Sequence, residues 1–119
     1  MSPTHRSLAA FILRLSLGFV VLWFGVNEIF ATADWTTFVP SIFGDGKLAY
    51  DMVIAHGVVL SICGLLLIFR IYPRAAAIVL SIMLIDIVIT LATSFGLDAT
   101  AVRDIGLLGM ALGLAAPLP

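Results

Sequence analysis

The chain has 119 residues, 62% of them hydrophobic and 11% charged, with a formal net charge of −1 and a mean hydropathy of +1.21. Soluble domains are about 45–50% apolar and about 25% charged, so a water-exposed globule is excluded. The near-neutral balance, with no basic patch, excludes nucleic acid as a partner, and the lone Cys63 makes neither an internal disulfide nor a cysteine-based metal site.

The apolar residues fall into runs near the length that crosses a hydrocarbon core, about 17–25 residues of helix. The first run predicts a helix over 8–30. It follows His5 and Arg6 and precedes Ala31-Thr32-Ala33, which outlines a cleavable leader. Arg14 interrupts the run, however, and Asn27 and Glu28 stand before the small residues, so it reads as a retained membrane helix. The segment 31–48 carries Trp35, Phe38, Val39, Pro40, Ile42, Phe43 and a Gly44-Asp45-Gly46 turn. It reads as an interfacial loop over the helix ends, with a re-entrant segment lining a substrate path as the alternative.

The second helix is expected over 49–69, followed by Arg70-Ile71-Tyr72-Pro73-Arg74, which has room only for a tight hairpin. Pro73 suits the first turn of a third helix over 74–95. Gly96 suits a helix stop and Asp98 an N-cap for a fourth helix over 99–116, closed by Pro117 and Pro119. The expected fold class is all-α, an integral membrane four-helix bundle forming a single transmembrane domain. Arg6, Arg70 and Arg74 then fall on one side, and Lys47 and Arg103 on the other among Asp34, Asp45, Asp51 and Asp98. This asymmetry predicts both termini in the cytoplasm.

A charge inside lipid costs at least about 2.5–3.5 kcal/mol at mid-helix, so each one needs a reason. Arg14, Gly18, Val21, Gly25 and Glu28 share one face of the first helix, an inward stripe with a charge near each end. His56, Leu60, Cys63 and Leu67 align on the second, beside Gly57, Ser61 and Gly64. Ala75, Val79, Ile82, Asp86, Thr90 and Thr93 align on the third, which predicts that this stripe points into protein. Gly106, Gly109 and Gly113 form a small-residue packing seam on the fourth, flanked by Arg103, with Asp104 pointing away from it. Glu28, His56, Asp86 and Arg103 thus gather toward one end of the bundle, with His56 about 10 Å and Asp86 about 13 Å in from their helix ends. Arg14 sits toward the other end. A lone span histidine excludes bis-histidine haem ligation within the spans, and Cys63 reads as a small packing residue. Arg103 and Asp104 read equally as headgroup-level residues, and Arg14 as a snorkelling or salt-bridged one. Asp86 is too deep for its short side chain to reach water. No nucleophile–base–acid set, phosphate loop, zinc motif or dinucleotide fingerprint occurs.

Leu13-Arg14-Leu15-Ser16-Leu17-Gly18, then Leu22-Trp23-Phe24-Gly25-Val26-Asn27-Glu28-Ile29-Phe30, and then Gly64-Leu65-Leu66-Leu67 running to Pro73-Arg74-Ala75-Ala76 resemble the DoxX family of small four-helix membrane proteins. The resemblance covers about residues 8–112. Glu28 stands where family members commonly carry a lysine, and Leu60 where they often carry a glutamate. The resemblance implies a bundle in a bacterial or archaeal inner membrane, linked to respiratory or thiosulfate–quinone oxidoreduction or associated with larger assemblies.

Three functions are compatible with these residues. The first is an accessory or structural subunit of a redox-active membrane complex, in contact with lipid and with other membrane subunits or further copies of itself. The second is a quinone-linked oxidoreductase subunit, in which Glu28, His56 and Asp86 exchange protons and Arg14 or Arg103 stabilises anionic forms. The third is a small transporter component. The sequence calls for no intrinsic cofactor and no metal, and a quinone or other lipophilic cofactor fits the second reading.

Overall fold

The computed structural model describes residues 3–36 and 46–116. The described residues form α1 (Pro3–Phe30), a single turn α2 (Thr32–Trp35), α3 (Lys47–Ile68), α4 (Pro73–Phe95) and α5 (Ala99–Ala115). The architecture is an all-α bundle of four long helices. Three segments, Ser7–Phe30, Lys47–Ile68 and Pro73–Thr93, are long and apolar enough to cross a membrane by length and composition. The 17 residues of α5 rise about 25 Å, slightly less than a hydrocarbon core of about 30 Å.

Local chemistry sets the helix ends. Pro73 occupies the first turn of α4, where its missing N–H is no loss. Gly96 ends α4 at φ 77°, a left-handed conformation that costs glycine nothing. Asp98 caps α5, its Oδ1 accepting from the Ala101 N–H at 2.9 Å. The Thr32 hydroxyl closes the end of α1 by donating to the carbonyls of Glu28 and Ile29. The four-residue turn between α3 and α4 holds Arg70 (φ 56°) and Tyr72 (φ 46°) in the left-handed region. For L-residues this costs roughly 1–2 kcal/mol each. The interfacial loop expected over 31–48 includes the α2 turn. Between 37 and 45 it lies outside the described residues, as do Pro117 and Pro119.

Two antiparallel pairs, α1 with α3 and α4 with α5, make the closest packing, and α3–α4 and α1–α5 contacts join them. Along α1–α3 the backbones touch. A Cβ on Gly18 would lie 2.9 Å from the Gly64 carbonyl oxygen, and one on Gly64 would lie 2.8 Å from that of Gly18. Gly25 and Gly57 repeat the relationship at 2.7 and 2.8 Å. Both helices space their glycines seven residues apart, close to two turns, so one antiparallel register seats both pairs. The shared core draws on all four helices, with Leu17 and Val21 against Leu60, Cys63 and Leu67, and Ala76, Leu80 and Leu84 beside Ala111.

Two arginines tie helix ends together at the Arg14 end of the bundle. Arg14 Nη1 donates to the Leu67 carbonyl at 3.0 Å, and Arg74 Nε to that of Ala115 at 2.9 Å. Each places a cation at the carbonyl end of a neighbouring helix, where the dipole favours it. Among the described residues Arg14 therefore forms no salt bridge and stands apart from the Glu28–His56 and Arg103–Asp104 pairs.

The faces of α4 and α5 correct the sequence expectation. Ala75, Val79, Ile82, Asp86 and Thr93 are exposed and Thr90 is half-buried, so the stripe predicted to point inward turns out. Helix α4 buries Ala76, Ala77, Leu80, Leu84 and Leu91 instead. Gly106, Gly109 and Gly113 likewise face outward, with nothing within 4 Å of a Cβ placed on any of them. The inward face of α5 carries Ala101, Asp104 and Ala111. The physical reason is that α4 and α5 are apolar nearly all round. Shape complementarity between α4 and α5 then selects the buried face, and the sparse polar residues do not.

Candidate functional site

Glu28 lies in the last turn of α1 and is 7% exposed. A carboxylate there opposes the helix dipole and needs a compensating partner. His56, one helix away on α3, supplies it, with its Nδ1 2.9 Å from Glu28 Oε1. A proton must lie between these two atoms, so the pair is a single protonic unit. Glu28 Oε2 and His56 Nε2 are buried and have no hydrogen-bond partner among the described residues.

A second pair stands early in α5. Asp104 Oδ1 accepts from Arg103 Nε at 3.1 Å and lies 3.1 Å from Nη2 in the same ion pair. The Asp104 side chain is 7% exposed and that of Arg103 44%, so the acid is sunk in the bundle and the base bridges outward. The guanidinium carbon also lies 4.6 Å from the centroid of the Phe24 ring, a cation–π contact. Phe24 in turn meets Trp23 and Trp35 edge to face, with centroids 5.0 and 5.6 Å away.

Between the two helix pairs lies a partly open cavity of about 170 Å³. Its walls are mainly apolar, and His56, Asp86, Thr90, Thr100, Arg103 and Asp104 supply most of its polar groups. Asp86 sits at the rim, exposed while also lining the cavity. Among the described residues it has no hydrogen-bond or ion-pair partner. Such a space suits a small, mostly apolar guest held by one polar group.

Of the residues singled out by sequence, His56, Asp86 and Arg103 come together around this cavity, and Glu28 stands behind His56. Arg14 is at the opposite end, held by Leu67. Gly18, Gly25, Gly57 and Gly64 lie in the α1–α3 seam, whereas Gly106, Gly109 and Gly113 lie on the outer face of α5. Asp104, which the sequence places at headgroup level facing away from the glycine seam, also lines the cavity, as does Phe24, which the sequence does not single out. The signal for Asp104 was present, since it falls between Ala101 and Ala111 at helical spacing, on the face opposite the glycine seam.

The chain matches no protein-family model, no curated protein and no solved structure.

Proposed function

We propose that this chain is an accessory subunit of a larger membrane assembly, with helices of another chain covering the outer face of α5. The observation that carries this reading is the open glycine seam. Gly106, Gly109 and Gly113 leave a groove with nothing within 4 Å. In lipid, helices associate through such small-residue faces, because the backbones can approach closely. The α1–α3 pair of this chain uses glycines in the same way. The charged pairs support the reading too, since Glu28 with His56 and Arg103 with Asp104 each find a partner within this chain, as suits a scaffold.

In this reading α5 is a fourth crossing, and both termini lie in the cytoplasm on the side of Arg70 and Arg74. The resemblance to the DoxX family supports a bacterial or archaeal inner membrane and a redox-active assembly. Gentle detergent extraction followed by mass measurement tests the proposal. Co-purifying membrane chains, or a defined self-oligomer, are expected. A monodisperse single-chain species would overturn it.

A quinone-linked subunit is the second reading, favoured by the cavity beside His56 and Asp86. It has lost the two arginines it would use, because Arg14 is bonded to Leu67 and Arg103 to Asp104. Asp86→Asn would abolish quinone-dependent turnover in this case, and unchanged turnover would remove the assignment.

A further inference from the structure

We infer that the cavity between the two helix pairs binds a compact lipophilic cation, of the alkyl- or arylammonium class, with Asp86 as its counter-ion. This stands apart from the subunit reading, which concerns the outer face of α5.

The charge inventory carries the inference. The ionisable groups lining the cavity are His56, Asp86, Arg103 and Asp104, with Glu28 bonded behind His56. Arg103 and Asp104 cancel each other. The Glu28–His56 unit is neutral or singly negative, depending on whether it holds one extra proton. Asp86 adds a negative charge with no cation beside it among the described residues. An ionised Asp86 therefore leaves the wall with surplus negative charge in either state of the Glu28–His56 unit, which repels anions and attracts cations.

Depth sharpens the demand. Asp86 stands about 13 Å from the Phe95 end of a helix apolar enough to cross a membrane. A carboxylate at that depth needs a partner of opposite charge. The surroundings specify what kind. The walls are apolar, which disfavours a strongly hydrated inorganic ion and favours an organic one whose charge is shielded by carbon. Arg103 already stacks its guanidinium on Phe24, so an aromatic wall at this site accepts a delocalised cation. Size sets the upper limit. A cavity of about 150 Å³ holds a benzene-sized guest, so 170 Å³ with an open rim takes one ring and a small ammonium head.

The test uses the full chain in nanodiscs of zwitterionic lipid, with protein-free nanodiscs as background. The probes are phenyltrimethylammonium and benzenesulfonate, alike in size and opposite in charge. The cation should bind above background and the sulfonate should not. Asp86→Asn should weaken cation binding at least about tenfold, and Asp86→Glu should retain it to within about threefold. Circular dichroism checks that each variant folds. If Asp86→Asn does not fold, the contrast between cation and sulfonate on the unmodified chain still decides. Equal binding of both probes, no cation binding, or full cation binding by folded Asp86→Asn would overturn the inference.

Discussion

Gly25 and Gly57 face each other across the α1–α3 interface so closely that a Cβ on either would lie within 2.8 Å of the other's carbonyl oxygen. A Cβ on Gly25 would also collide with the Ser61 side chain, whose hydroxyl is held by the Gly57 carbonyl at 2.8 Å. Neither a backbone oxygen nor a tethered hydroxyl yields easily. Gly25→Ala or Gly57→Ala should therefore force the helices apart and destabilise the bundle by about 1–3 kcal/mol. Gly106→Ala meets open space and should be neutral, or stabilising by up to about 1 kcal/mol through helix propensity. Unfolding in mixed detergent micelles checks the contrast.

The Glu28–His56 pair should show strong coupling. Both side chains are held at the α1–α3 junction, and removing either leaves a buried polar group alone. A double-mutant cycle with Glu28→Ala and His56→Ala should give a coupling of about 1–3 kcal/mol. Glu28→Gln keeps a hydrogen-bonding atom near His56 Nδ1 and should cost less than Glu28→Ala in the same unfolding measurement.

Arg103 and Asp104 should respond unequally. Arg103→Ala strands a carboxylate that is almost fully buried, which costs about 3–5 kcal/mol when the ion is left unpaired. Asp104→Ala leaves an arginine that is 44% exposed and free to turn outward, so its cost should be clearly smaller. Equal losses of stability for the two variants would show that Asp104 is not the sunken partner.

Arg14→Leu removes the side-chain donor to the Leu67 carbonyl at the end of α3. A hydrogen bond from a charged group contributes about 1.5–3 kcal/mol. Amide exchange at Phe69, Arg70 and Ile71, whose N–H groups bond back into the last turn of α3, should accelerate. Amides in the middle of α4 should be unaffected.

Much of the fold was legible in the sequence because punctuation and glycine spacing are local signals. Pro73, Gly96 and Asp98 mark helix ends through backbone chemistry that no packing partner needs to supply. The inward stripe of α1 was legible because Gly18 and Gly25 interrupt a run of bulky residues at helical spacing. The buried faces of α4 and α5 were not legible. Both helices are apolar nearly all round, so periodicity does not say which face a neighbour takes. Most of the α4 polar stripe and the α5 glycines point to the outer side, while Asp86 and Thr90 still reach the cavity. A packing seam of α5 glycines implies an inward seam and an outward Asp104. The register of α4 on α5, set by Ala76, Ala77, Leu80 and Ala111, reverses both.

The outward seam of α5 is tested most directly by cysteine cross-linking in native membranes, with Cys63→Ala removing the one natural thiol. Single cysteines would replace Gly109 on the seam, Ala111 in the core, and Phe19, which is 65% exposed on α1. A partner covering α5 predicts a discrete higher-mass adduct from Gly109→Cys, and none from Ala111→Cys or Phe19→Cys. No adduct at Gly109, or adducts of equal yield at Gly109 and Phe19, would contradict it.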